Sequence, residues 1–196
     1  MIQLDRIDTV PTSNRDRYTA RICWNSNTWR FPSGESPHLE KDSYAVTAGF
    51  GHEEWLFNFA WLVDGFHYAF LQPVHDSFKN VTGRTIDVLL YTINADGNRL
   101  YVGEISNCEV LRSVQADAAL KIYKKRGWLK SMAEQVRDIR GKVSHILSES
   151  DPALLFNVRF RPDDARINDP LKMADQKDAV WKRQRYTLVA AADEIN

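Results

Sequence analysis

The sequence has little cysteine: two residues, Cys23 and Cys108, in 196. Each lies in an apolar, strand-like stretch, and neither has a second cysteine at metal-ligand spacing. This argues against a thiolate zinc site and a disulfide framework, and buried free thiols are the expectation. No apolar run reaches the roughly 18–20 residues that a membrane helix needs. The opening MIQLDRIDTV has neither the basic flank nor the apolar stretch of a signal peptide. The expectation is a cytoplasmic chain with no membrane partner. Also missing are the G-x-S-x-G elbow, the H-E-x-x-H helix, the G-x-x-x-x-G-K-[ST] loop and the G-x-G-x-x-G turn. Without them, nothing in the chain signals a serine hydrolase, a zinc protease, a P-loop NTPase or a dinucleotide enzyme, and no cofactor is expected.

Net charge is absent too, with 26 basic and 26 acidic residues, but the distribution is uneven. Residues 1–111 hold 9 basic and 14 acidic residues, 112–142 hold 9 and 3, and 143–196 hold 8 and 9. The basic block contains Lys121, Lys124, Lys125, Arg126 and Lys130. Such a block is either a solvated helix face or a phosphate-binding surface, because local charge sets the field that a polyanion feels.

Aromatic residues are what the chain has in plenty, including six tryptophans. Trp24, Trp29, Phe31, Tyr44, Phe50, Trp55, Phe57, Phe59 and Trp61 fall within 38 positions. Phe57, Phe59 and Trp61 suit a core. Trp24, beside Asn25, and Trp29, in a polar loop, suit either a core or a pocket for a flat ligand, as does Trp55. Rings of this kind stack on nucleic-acid bases, contributing about 1–3 kcal/mol per base.

Periodicity predicts strands over 18–24, 66–72, 85–94, 99–106, 154–160 and 185–191, with 43–48 as a short strand or strand entry. ADGN between two alternating runs signals a hairpin, and 107–111 would extend its second strand. Residues 25–42 have loop composition. Residues 52–59 suit a short helix or turn, with Glu53 and Glu54 where the helix dipole favours acids. Helical spacing runs through 114–140 with a break at Gly127, and 165–183 look like mixed loop and helix. Strands thus flank a helical segment, which does not match the alternation of a doubly wound sheet. The expected fold class is α+β: a strongly bent sheet or small barrel of five to seven strands with helices packed at its side. One domain would span 1–196, with a basic helical insert at about 112–146.

The stretch GFGHEEWLFN (49–58) concentrates candidate chemistry. Its histidine and glutamates, with His67, His75 and Asp76, are metal-ligand types, though not at a known ligand spacing. A small metal-dependent hydrolase using His52, Glu53 or Glu54, His75 and Asp76 is one reading. The other is a binding pocket in which carboxylate and amide groups test a base edge.

ICWNSNTWRFPSG (22–34) together with SYAVTAGFGHEEWLFN (43–58) resembles the start of EVE-type domains of the PUA superfamily, of the kind found N-terminal to HNH nucleases in modification-dependent (type IV) restriction enzymes. The similarity covers roughly 18–110, through LLYTIN and LYVGEIS; beyond it only the PUA-like order of elements is shared. The resemblance implies a PUA-like bent barrel that binds DNA and flips a modified cytosine, 5-methyl or 5-hydroxymethyl, into an aromatic cage, serving modification-dependent restriction or phage defence. Trp24, Trp29 and Trp55 would form the cage. Asn25, Asn27 and Glu54 would read the base edge or support the cage, with Tyr44 and His52 behind them. The basic block would meet phosphates. The chain departs from the restriction-enzyme pattern in lacking an HNH-type segment: among its histidines only His145 lies beyond position 75. The expected partner is DNA carrying modified cytosine, with a separate nuclease domain or subunit as a further one, and no catalytic residue is assigned.

Overall fold

The computed structural model describes residues 16–36, 43–148 and 151–191. In chain order the elements are β1 (Arg17–Arg21), α1 (Tyr44–Ala48), a 3₁₀ turn (His52–Trp55), β2 (Leu62–Val63), β3 (Phe66–Ala69), α2 (Gln72–Asp76), α3 (Phe78–Val81), β4 (Thr85–Ile93) and β5 (Arg99–Val110). Then follow α4 (Ser113–Lys125), α5 (Trp128–Asp138), α6 (Ser144–Leu147), β6 (Val158–Phe160), β7 (Ala165–Met173) and β8 (Val189–Ala190), with short 3₁₀ turns between.

The fold is α+β. Eight strands form one mixed sheet in the order β2-β3-β6-β5-β4-β1-β8, with β7 on β5 off this path. β1 runs parallel to β4, and the other ladders are antiparallel. The sheet does not close into a barrel: among the described residues no ladder joins β2 to β8. It does curl. The Cys23 amide, past β1, and the Gln72 amide, past β3, both donate to the Glu53 carboxyl, at 2.7 and 2.8 Å. Three other strands separate β1 from β3 in the sheet order.

The 85–110 hairpin forms as its sequence predicts. Asn94 accepts from the amides of Asp96 and Asn98, and Gly97 takes φ 82° in the turn. β5 is long enough to serve two neighbours on one edge. Leu100–Ile105 pair with β7, whereas Glu109 and Val110 pair with β6. Gly103 lies where β7 crosses, and any Cβ there would collide with the Arg166 carbonyl.

Three expectations are corrected. Residues 43–48 are not a strand: α1 closes its turns through Thr47 N to Ser43 O and Gly49 N to Ala45 O. Gly49, at φ 81°, ends it in the left-handed region and lets the chain pass Gly141, where an added Cβ would sit 3.1 Å from the Gly141 Cα. Residues 165–173, expected as loop and helix, are strand β7; its polar pattern and Pro170 suit a sheet edge. Much of 154–160 and 185–191 is irregular, with strands of only three and two residues.

One core fills the curl of the sheet and includes Ile22, Trp29, Leu56, Phe57, Leu90, Val102 and Phe160. A second joins α4 and α5 to Phe50, Trp55, Val63 and Phe156. Gly127, at φ 76°, separates those two helices, as the sequence suggests. Both cysteines are buried and free. Among the described residues no helix is long and apolar enough to cross a membrane.

Candidate functional site: a cavity behind the 49–55 turn

The 49–55 turn is fixed by its carboxylates. Glu54 Oε1 accepts from the Gly51 amide at 2.9 Å, while Oε2 accepts from Asn25 Nδ2 (2.7 Å), the Ser33 amide (2.6 Å) and Ser33 Oγ (3.2 Å). Asn25 is equally engaged. Its Oδ1 accepts the amides of Asn27 and Trp29, and Nδ2 also donates to Phe31 O. These bonds hold a loop in which Thr28 and Trp29 both take positive φ, 55° and 54°. Glu54 and Asn25 are therefore occupied in clamping the 25–33 loop to the turn. Burial raises the Glu54 carboxyl despite its donors. Glu54→Gln would keep the shape but offer one acceptor oxygen in place of two, so a loss of about 2 kcal/mol of stability is expected, read from the urea midpoint.

Two of the three predicted cage rings are structural. Trp29 is 1% exposed, donates Nε1–H to Cys23 O at 2.9 Å and meets Phe57 edge-on. Trp55 is 4% exposed, donates to Gln135 Oε1 at 2.6 Å and packs with Phe50 in the helical core. Trp24 is half-buried, meets Trp29 edge-on and donates to Glu35 at 2.7 Å. Asn27 donates to Pro32 O.

The remaining predicted residues, Tyr44 and His52, face a cavity of about 710 Å³. Its rings are Tyr44, Phe70 and Tyr186; its polar groups include His52, Glu53, Gln72, His75 and Arg185. Trp24, Asn25, Asn27, Trp29, Glu54 and Trp55 do not line it. α1, the 52–55 turn, the β3–α2 junction and the segment 185–187 supply most of it, and Cys23 and Leu154 complete it. Phe70, Gln72 and Tyr186 escaped the sequence reading because they lie outside the aromatic-rich stretch. FLQP resembles an ordinary strand end, and Tyr186 a late strand residue.

Within the cavity wall, Tyr44 Oη and His52 Nε2 are 2.7 Å apart, and the His52 ring lies edge-on to Tyr44 and Phe70. Burial lowers the His52 pKa to about 4, against the opposing pull of a bond to the Leu154 backbone carbonyl, so the ring is neutral at pH 7. Glu53, 3% exposed, moves the other way. Burial outweighs its two backbone donors and the Arg21 charge, and its pKa rises to about 7. The cavity thus offers a neutral imidazole, a carboxyl near half-protonation and a primary amide beside apolar rings. This set matches a flat, uncharged ligand with mixed donors and acceptors.

The residues of the hydrolase reading, His52, Glu53, His75 and Asp76, also line this cavity. Among the described residues, however, no group of three or more His, Cys, Asp or Glu side chains is placed to hold a metal ion. Asp76 accepts from Gln72 Nε2 at 2.8 Å.

The basic block lies on the helical layer, outside the cavity. Lys121, Lys124, Lys125, Arg126 and Lys130 are all exposed. Arg126 donates to Leu62 O and lies over Trp128, and Lys130 is 3.9 Å from Glu134. The chain matches no protein-family model, no curated protein and no solved structure.

Proposed function

We propose that this chain is a reader of modified bases, an EVE-like module that binds DNA and takes a flipped cytosine, 5-methyl or 5-hydroxymethyl, into the cavity behind the 49–55 turn. The observation that carries the reading is the composition of that cavity: about 710 Å³, within the usual range for small-ligand pockets, with three rings and a buried carboxyl in its lining. Cytosine presents an N3 acceptor beside an N4 donor. A carboxyl carrying one proton complements that pair, donating to N3 and accepting from N4, and Glu53 has the proton affinity to do so near pH 7. Tyr44 and Tyr186 offer the base its stacking faces, and Phe70 and Leu154 offer a 5-substituent apolar contact. The cage is therefore tyrosine and phenylalanine in place of the expected tryptophans. Lys121, Lys124, Lys125 and Lys130 supply exposed positive charge for the phosphate backbone.

The test is a fluorescence-anisotropy titration at stated salt with duplexes that differ at one cytosine: plain, 5-methylated or 5-hydroxymethylated. A preference of about tenfold or more for one modification, about 1.4 kcal/mol, supports the reading; equal binding to all three would sink it. Tyr44 is 41% exposed, so Tyr44→Ala should fold. It is expected to lower affinity for the preferred duplex by about tenfold through lost stacking.

A metal-dependent hydrolase is kept as a second reading because His52, Glu53, His75 and Asp76 line one cavity. Stoichiometric zinc or manganese in the purified protein would favour it.

A further inference from the structure

Two arginines, Arg21 buried and Arg99 half-buried, lie without a carboxylate in ion-pair contact. Arg21 ends β1, is 7% exposed, donates Nη1–H to Gln184 O at 2.5 Å and lies over the Tyr186 ring at 4.6 Å. Arg99 begins β5, donates Nη1–H to Gly97 O at 2.7 Å and lies over Trp181 at 4.9 Å. The Nε–H of each is buried and has no hydrogen-bond partner. Among the described residues no carboxylate lies within 4.0 Å of either guanidinium. Both side chains line one small cavity of about 240 Å³, completed by Ile93, Gly97 and Gln184.

This arrangement is costly as it stands. Two like charges share a partly desolvated cavity, and the buried Nε–H of each side chain is unmet. Hydrogen bonds to the Gln184 and Gly97 carbonyls hold the two guanidiniums at the cavity. A bound oxyanion would offset the repulsion between the two charges. Arginine forks match the tetrahedral oxygens of phosphate, and two of them balance a dianion where one carboxylate would leave a positive charge over.

We propose that the cavity between Arg21 and Arg99 is a phosphate-binding site, with the two guanidinium groups as its donors. The site does not depend on what the larger cavity binds, although Tyr186, under the Arg21 guanidinium, lines that cavity too. The phosphate could be inorganic, part of a free nucleotide, or in a polynucleotide backbone.

The experiment is calorimetric titration of the whole chain with inorganic phosphate, in chloride buffer of matched ionic strength. Saturable one-to-one binding is expected, weakened about tenfold or more in Arg99→Gln and partly kept in Arg99→Lys. Arg99 is the residue to change, because Arg21 also pins the Gln184 segment and its loss could unfold the wall. No saturable binding, or equal binding by the parent and Arg99→Gln, would overturn the site. A second arm measures unmodified duplex affinity against salt. If Arg99→Gln flattens the log–log slope by about one, the phosphate belongs to a nucleic-acid backbone. If it loses inorganic phosphate but keeps the slope, the site serves free phosphate or a nucleotide. Because inorganic phosphate is tested without DNA, failure of the base-reader proposal leaves this result interpretable.

Discussion

Trp29→Ala is expected to cost about 3–5 kcal/mol of stability, the range for deleting a large buried aromatic side chain. Trp29 fills the curl of the sheet against Phe57, and its removal strips the Cys23 carbonyl of its buried donor. The Trp29 carbonyl also accepts the Phe57 amide, so the loop and the turn would loosen together. Against a typical total of about 5–15 kcal/mol, this leaves a marginal protein. The urea midpoint by circular dichroism should fall steeply, whereas Trp24→Ala, at a half-buried site, should stay within about 1 kcal/mol. A Trp29→Ala protein with the parent midpoint would mean that the ring is not a core residue. Lost DNA binding in this variant would accordingly report unfolding, and a cavity residue such as Tyr44 is the proper probe of recognition.

Glu53→Gln is expected to change stability in a pH-dependent way. The folded pKa of Glu53 lies near 7, above the ordinary 4.5. Between those values the folded chain holds a proton that the unfolded chain has released, so this group's contribution is whole below about pH 4.5 and declines as pH rises through 7. Glutamine mimics the protonated form and lacks that decline. Relative to the parent, Glu53→Gln should therefore gain stability from pH 4.5 to 8, by up to about 3 kcal/mol. Urea midpoints of the two proteins at pH 5 and pH 8 would measure it. A pH-independent difference would show that Glu53 is ionised throughout.

The amino-acid pattern carries the backbone of this structure better than its cavity. The hairpin at ADGN, the helical pair broken at Gly127 and the buried thiols are local features, set by turn chemistry and periodicity, and they are found as expected. Residues 43–48 misled because Tyr, Val and Thr favour strands, while the deciding influence is Gly49 and its close approach to Gly141, about 90 residues away. β7 was hidden because an edge strand with polar residues on both faces has no alternation to detect. The candidate site was less legible. Tryptophan, asparagine and glutamate in one stretch suggested a ligand, but here those types satisfy one another: Glu54 binds Asn25, Asn25 binds the Trp29 amide, and Trp29 reaches Cys23. The cavity depends on Phe70, Gln72 and Tyr186, which only the curl of the sheet brings to Tyr44 and His52.

The parallel pairing of β1 with β4 has a kinetic consequence. Arg17 meets Asp87 about 70 residues later, and Tyr18 meets Ala190 about 170 residues later. The β4–β5 hairpin closes over a few residues and can form early, while these distant pairings must wait for slow loop closure. Tyr186 reaches its place only with the last of them. A partly folded chain can thus hold the hairpin and both long helices and still have no cavity, so recovery of ligand binding during refolding should lag behind recovery of helical signal.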